Sequence, residues 1–340
     1  MDLIIPKEIQ DIFSSLTLNE AIDKVENKYK DWDITKTTEK YSKVAKIETG
    51  EYFPIDYYDK IIDNTEYGYK EDGSLLFCLV KNNIKEDKRK KYKDAMRSNC
   101  RALTKNRGAS AGPVDLKQFP KKAVSFCDRN GKEFPNDKKR YSVHFKDEEG
   151  VMIKRCQSNS ARSGVAGFFD PVAGFPCRKV GWSNKNPLKH KVLEELAIEI
   201  EEGHKKYCPE SYEFHLEQSG RVNKEYLFKD SIYSTMTLNY DFRTATHRDS
   251  GDLQGGLSTL TILEEIENNY TGFYLGLPEY KICFNVKDGD TLYFDAHELH
   301  ANTEYEVLSD NLPINKLTEK PYAGRMSIVC YLRNRLHTCS

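Results

Sequence analysis

Through the last third of the chain, apolar and polar positions alternate in short runs. These are SIYSTMTLNY (231–240), LSTLTIL (257–263), TGFYLGL (271–277), YKICFNV (280–286), DTLYFDA (290–296) and RMSIVCYL (325–332). Period-two alternation rich in β-branched and aromatic residues predicts strands. The intervening DSGDLQGG, LPEY and KDGD segments predict turns. So many short strands favour a sandwich or closed roll over a parallel α/β sheet.

The pattern differs upstream. A run capped by Ser15 places Leu18, Ala21, Ile22 and Val25 at helical spacing. Residues 52–79 are aromatic and predict one or two strands, and KEDKRKKYKDAMRSNCRAL (85–103) predicts a helix. RYSVHF (140–145) predicts a short strand, and NSARSGVAGFFDP (159–171) a glycine-punctuated turn region. Asn186 followed by Pro187 is a helix start; Leu188, Val192, Leu196 and Ile200 then recur every four residues, and Gly203 is the expected stop. That helix has one apolar face and is expected to lie against a sheet. The small-residue loop NRGASAGP (106–113) marks the softest boundary. The expected organisation is an N-terminal accessory region over 1–105, mixed and partly helical, and a main domain over 106–340.

Composition narrows the class. The 340 residues include 21 Tyr and 16 Phe, too many aromatics for a disordered chain. No run approaches the roughly 20 apolar residues of a membrane span, and MDLIIPKEIQ lacks a signal-peptide pattern. Nine cysteines without a CxxC pair are expected to be free thiols, with structural zinc disfavoured. The expectation is an intracellular monomer in a reducing compartment, nuclear if eukaryotic and cytoplasmic if bacterial or viral.

A net charge of -1 hides an asymmetry: residues 81–162 hold 23 Lys and Arg against 10 Asp and Glu. Two readings compete for this block. It is a polyanion-binding surface, with Lys88, Lys90 and Lys91 or the rim residues Arg155 and Arg162 as phosphate contacts, or it is a solvated face balanced by acidic partners.

The chemistry concentrates later. His247 and Asp249 stand two apart on an extended segment, so both side chains point to one face. His300 follows 53 residues on, behind the strand that begins after Gly289 and Asp290. Two imidazoles and one carboxylate form the facial triad of a non-haem iron(II) oxygenase, which leaves positions open for co-substrate and dioxygen. His297 competes for the third place; the interval from Gly289 and the following Ala301 and Asn302 favour His300. Arg325 opens the final strand with Ser327 on the same side, a pair suited to the distal carboxylate of 2-oxoglutarate.

The segments TMTLNYDFRTATHRDSGDLQGGLSTLTIL, YTGFYLGLPEYKICFNVKDGDTLYFDAHELHANT and RMSIVCYLRNRL resemble the TET/JBP family, on its J-binding-protein side. SNSARSGVAGFFD extends the likeness, which runs from about Ser158 to Leu336. These are iron(II)- and 2-oxoglutarate-dependent oxygenases of the methyl group of thymine or 5-methylcytosine in nucleic acid. The resemblance implies an α+β fold with a double-stranded β-helix (jelly-roll, cupin-like) core flanked by helices. It matches His247, Asp249 and His300 to the metal ligands and Arg325 to the 2-oxoglutarate arginine. Arg243 falls in the same run, as a co-substrate contact or a brace for the loop, and Asp252 as a substrate residue. It further implies dioxygen as co-substrate, ascorbate as a candidate stimulant and DNA, ahead of RNA, as partner. The chain departs from the family in lacking the Cys-rich zinc module of animal TET proteins and a recognisable base-J-binding domain, and in an insertion around Leu308–Tyr322. The alternative function is hydroxylation of a free nucleoside, an amino acid or a protein side chain by the same iron site; an inactive binding module is a third reading.

Overall fold

The structure is a computed structural model and describes residues 39–114, 125–128, 130–133, 140–152, 158–172, 174–309 and 312–339. The helix expected after Ser15, and Arg155, lie outside the described residues.

Two sheets and a helical layer organise the protein. The strands of the sheets are, in chain order, β1 (Glu39–Tyr41), β2 (Lys60–Ile62), β3 (Glu66–Lys70), β4 (Leu75–Val80), β5 (Leu103–Thr104), β6 (Ala161–Phe169), β7 (Arg178–Lys179), β8 (Thr235–Tyr240) and β9 (Ser258–Glu264). They continue with β10 (Leu275–Leu277), β11 (Ile282–Phe284), β12 (Thr291–Phe294), β13 (Ala301–Asn302) and β14 (Arg325–Tyr331). The large sheet runs β1-β3-β4-β12-β9-β14-β8-β6-β5, with β7 beside β6. Only its β1–β3 pairing is parallel. The small sheet runs β13-β10-β11-β2. Among the described residues the three longest helices accompany them: α1 (Glu86–Cys100), α2 (Pro187–Tyr207) and α3 (Pro209–Ser219). Among the described residues, no helix is long and apolar enough to cross a membrane.

Strand alternation divides the molecule. In β8, Met236 and Leu238 pack against the helices, as do Met326, Ile328 and Cys330 in β14 and Cys78 and Val80 in β4. The opposite registers, Phe77, Leu79, Leu260, Ile262 and Leu292, pack against Leu275, Leu277, Ile282 and Phe284 of the small sheet. Where the sheets part, the same face of β8 and β14 presents Thr237, Asn239, Arg325, Ser327, Val329 and Tyr331 to a cavity of about 130 Å³.

Residues 39–104 supply β1 to β5, and β4 pairs directly with β12. The boundary expected at 105 therefore separates strands of one sheet. Residues 52–79 reach three strands rather than one or two.

Other expectations change for identifiable reasons. The stretch read as a turn region around Gly164 is the nine-residue strand β6. A Cβ on Gly164 would come 2.0 Å from Asn99 Oδ1, so this glycine serves close packing of α1 rather than chain reversal. Gly203 does not stop its helix, which continues to Tyr207. A Cβ there would lie 2.3 Å from both Asn83 Oδ1 and Tyr293 Oη, so the glycine lets α2 approach the sheet. Leu188 is 82% exposed, off the face formed by Leu193, Leu196, Ala197 and Ile200. An every-fourth row turns about 40° per step on a helix of 3.6 residues per turn, so its far end leaves the buried stripe. Finally, Cys177 and Cys339 form a disulfide, with Cα atoms 5.9 Å apart, against the expectation of free thiols throughout. Their separation of 162 residues gave no spacing signal. Cys78, Cys100, Cys127, Cys208, Cys283 and Cys330 are free and buried.

Candidate active site

The centre of the cavity is built by a one-residue antiparallel bridge. The backbone N–H of His247 donates to the His300 carbonyl and that of His300 to the His247 carbonyl, each at 3.1 Å. Residues paired this way carry their side chains to the same face, and the two imidazole centroids lie 4.2 Å apart. Two residues on, the Asp249 N–H donates to the Ala296 carbonyl at 3.0 Å. The Asp249 carboxylate then stands 3.7 Å from His247 Nε2 and 3.6 Å from His300 Nε2. One ligand atom from each of the three residues falls within 4.8 Å of the others, a set that could hold a metal ion.

The backbone fixes which nitrogen is available. His247 Nδ1 donates to the Ala245 carbonyl at 2.8 Å and His300 Nδ1 to the Glu298 carbonyl at 2.9 Å. Both Nε2 lone pairs therefore face Asp249, the orienting arrangement that metal-binding histidines use. Burial pushes the His247 imidazole down to about 4, with His300 adding to it. Burial alone would raise the Asp249 carboxyl; the neighbouring His300 and His247 instead hold it well below the usual carboxylate range. A neutral imidazole and an anionic carboxylate are the protonation states that coordinate a cation.

Arg325 closes one end of the cavity. It is 2% exposed, with its guanidinium 4.8 Å from the Phe273 ring centroid. Its Nε and Nη2 have no hydrogen-bond partner among the described residues. A buried guanidinium with unsatisfied donors is costly unless a ligand completes it. The turn before it is held by Asp241, whose carboxylate accepts from the N–H groups of Ala323 (2.9 Å), Gly324 (3.4 Å) and Arg325 (2.8 Å). Burial pushes the Asp241 carboxyl up to about 6 despite those donors.

A second cation enters from the NRGASAGP loop. Arg107 and Ser110 line the cavity. Arg107 donates to Ser163 Oγ, which donates to Asn239 Oδ1 at 2.5 Å; Asn239 Nδ2 donates to Ser327 Oγ at 3.3 Å. Sequence reasoning marked that loop as a boundary without singling out Arg107, and it missed Asp241 and Asn239 altogether. The available signal was position: Asp241 directly follows the strand that leads into the His247 segment, and Asn239 lies opposite Ser327 in the β8–β14 register.

The remaining expected residues divide. Ser327 and Asp252 line the cavity. Asp252 is 5% exposed, accepts a hydrogen bond from Ser258 Oγ, and is pushed well above the usual carboxylate range by burial and by Asp249. Arg243 is not part of the wall. It donates to the carbonyls of Asn302 and Phe53 (both 3.3 Å), pairs with Glu304 at 3.2 Å and stacks on Tyr52, which makes it a brace for the loop. Arg162 alternates with Ser163 and faces away from the cavity, donating to the Arg101 carbonyl at 3.2 Å and to Tyr322 Oη at 2.7 Å. His297 stays outside the triad, with Nε2 3.3 Å from the Leu253 carbonyl.

The basic helix also resolves. Lys88 pairs with Glu199 at 3.3 Å, Arg89 with Asp288 at 2.8 Å and Lys90 with Asp94 at 2.6 Å; Lys91 pairs with Glu195. For this part of residues 81–162 the structure supports the balanced face rather than an open phosphate surface.

Comparison with known proteins agrees with this geometry. Residues 165–334 match the Tet/JBP family, described as the oxygenase domain of the 2OGFeDO superfamily. The chain is 33% identical over 208 residues to the bifunctional helicase and thymine dioxygenase JBP2 of Trypanosoma brucei brucei, covering 57% of this chain and 18% of that protein. It is 32% identical over 163 residues to the thymine dioxygenase JBP1 of Trypanosoma brucei brucei, covering 47% and 19%. The chain thus spans about a fifth of the length of the curated relatives it matches. A solved structure of NgTET1 in complex with 5mC DNA aligns with a TM-score of 0.49 at 11% identity, over 99% of this chain and 93% of that one. The matched residues run from the strand that carries Val165 to the end of the Arg325 strand and take in all three members of the triad. By half of its length, the half that supplies the triad and Arg325, the chain belongs to the Tet/JBP oxygenase family.

Proposed function

We propose that this domain hydroxylates the methyl group of a pyrimidine base in DNA, thymine first, with iron(II) and 2-oxoglutarate. Arg325 is the observation that carries the reading: a buried guanidinium with two unpartnered nitrogens, on the same strand face as Ser327. It suits the distal carboxylate of 2-oxoglutarate, which accepts a bidentate fork. His247 Nε2, His300 Nε2 and Asp249 fit iron(II), since two imidazoles and one carboxylate leave positions open for the co-substrate. When bound, iron(II) with 2-oxoglutarate and dioxygen supplies the oxidation, which yields the hydroxymethyl base, succinate and carbon dioxide.

The chain's own residues then have positioning tasks. Ala245 and Glu298 carbonyls keep both imidazoles in one tautomer. Asp241 presets the turn that delivers Arg325. Phe242, Phe294 and Tyr331 supply aromatic wall, and Asp252 a polar group for a base edge. His300 is 3% exposed, so a base still stacked in a duplex could not bring its methyl group to the triad. The base must be flipped out, at a cost of about a few kcal/mol. The thymine assignment comes from the names of the two trypanosome relatives. We further read the two facing sheets as the halves of a double-stranded β-helix.

The test is mass spectrometry of nucleosides from duplex DNA incubated with the protein, iron(II), ascorbate and 2-oxoglutarate, with Asp249→Ala as control. Oxidised thymidine or 5-methyldeoxycytidine should form with the wild-type protein alone. Succinate production on free thymidine or a peptide, without oxidised bases in DNA, would move the site to the alternative substrates.

A further inference from the structure

One face of β14 continues past the cavity. Arg325, Ser327, Val329 and Tyr331 line it, and two residues on, Arg333 continues the same register with its side chain 17% exposed. Its Nη2 donates to Tyr331 Oη at 3.2 Å, and its guanidinium lies 5.5 Å from the Tyr331 ring and 5.0 Å from the Phe169 ring. Phe169 shares the β6 face of Ser163, which is tied into the cavity network. Arg178, paired with Phe169 in register, sits 5.1 Å from that ring and 5.0 Å from the Phe175 ring. Rings and guanidinium groups therefore alternate outward from the cavity wall.

The row ends on a tight hairpin. Val172 and Phe175 exchange backbone hydrogen bonds at 3.1 and 2.8 Å, with Gly174 between them at φ +81°. The tip exposes two apolar side chains, Val172 at 47% and Phe175 at 59%. Its base is tied to the C-terminal segment by the Cys177–Cys339 disulfide. Asp170 is the one carboxylate among the described residues that pairs with this cluster, and it serves Arg333 and Arg335 together. Arg178 donates to the Pro176 carbonyl and meets aromatic faces instead of an acid. Interleaved cations and rings, leading from the buried Tyr331 to the exposed Phe175, match a phosphodiester backbone carrying unstacked bases, because every base offers a π-face and every linkage a negative charge.

We propose that the row Tyr331, Arg333, Phe169, Arg178 and Phe175 receives the nucleic-acid strand, with Phe175 stacking on a base beside the one admitted to the cavity. This rests on the DNA reading above. It assigns strand binding to the hairpin rather than to the Lys-rich helix. An exposed ring at a hairpin tip is the kind of group that fills the space a flipped base vacates.

The experiment uses the full chain and a fluorescein-labelled duplex with 2-aminopurine next to the target thymine. Phe175→Ala, Phe175→Trp and Arg178→Ala are compared with the wild type by anisotropy, 2-aminopurine emission and oxidised-nucleoside yield. Phe175→Ala should bind about tenfold more weakly and lose the emission change that reports stacking. Phe175→Trp should restore both, which a merely structural role would not do. Thermal unfolding of Phe175→Ala should match the wild type, since the ring is exposed. If the wild type oxidises DNA while both Phe175→Ala and Arg178→Ala bind and report as it does, this inference fails and the DNA reading survives. If the wild type neither binds nor oxidises DNA, both fail.

Discussion

Helix α1 and the arginine row of β14 carry the same sign of charge and resolve it in opposite ways. On α1, Lys88, Arg89, Lys90 and Lys91 each reach a carboxylate, and Arg97 and Arg101 converge on Glu265. Apart from Asp94 on α1 itself, the acids come from α2, from the loop before β12 and from just past the end of β9, so most of these charges fasten the helix to the rest of the domain. Along β14, Arg325 keeps two nitrogens without a partner, and Arg333 shares one aspartate with Arg335 while stacking on two rings. A count of Lys and Arg cannot tell these regions apart. The distinguishing property is whether the protein itself has consumed the donors. A cation with internal partners is structural, and a buried one without them is waiting for a ligand.

The sharpest break of the comparison is Arg325→Lys. A point charge cannot reproduce a planar fork, and hydrogen bonds to a charged group contribute about 1.5–3 kcal/mol. The concentration of 2-oxoglutarate for half-maximal turnover should therefore rise about tenfold to a hundredfold. Iron(II) binding, followed by metal analysis after desalting, should be retained because the triad is untouched. An unchanged 2-oxoglutarate dependence would transfer the carboxylate to Arg107, the other cation lining the cavity.

On the helix the corresponding variant is Arg89→Ala. Arg89 is 13% exposed, donates from Nε to the Ile84 carbonyl at 3.0 Å and pairs with Asp288, itself 12% exposed. Removing it leaves a half-buried carboxylate and a carbonyl to find water. Urea unfolding should show a loss of about 2 kcal/mol, with DNA affinity unaltered. A loss of DNA affinity at intact stability would place α1 in the binding surface after all.

These two arginines also mark what the sequence could and could not disclose. Arg325 was legible because its partners are local in pattern: a two-residue spacing to Ser327 on a strand whose period was plain. His247 and Asp249 were legible for the same reason, a two-residue spacing on an extended segment, although that segment lies between strands and is held only by the bridge to His300. Arg89 was not, since Asp288 lies 199 residues away and only the folded sheet brings it near. Gly164 and Gly203 misled for a related cause. Glycine signals a turn when only its neighbours are known, and a close approach when Asn99 or Tyr293 is known. Cys177, near the start of the Tet/JBP match, and Cys339, beyond its end, carried no local trace of their pairing. Arg178, Arg333 and Phe169 were unremarkable singly; their stacking order exists only in three dimensions.

A smaller effect separates the two regions directly. Arg178→Glu removes a cation from the hairpin and adds repulsion, so DNA affinity near 0.1 M salt should fall about tenfold. The slope of log affinity against log salt should become shallower by about 1. A slope unchanged from the wild type would mean that no phosphate lies near Arg178, and the row would lose its assignment.

The smallest effect is expected at Lys90, and it decides whether the charge asymmetry of residues 81–162 has any part in binding. Its side chain is 86% exposed and meets Asp94 one helical turn away, a pair that water and salt screen almost completely. If α1 only fastens and solvates, Lys90→Glu should shift the melting temperature by about 1 °C or less. It should also leave the salt slope of DNA binding where it was, even though it changes net charge by the same two units as Arg178→Glu. Equal losses from the two reversals would show that DNA responds to the total charge of the domain. Loss from Arg178→Glu alone would show that it responds to cations whose donors the fold has left open.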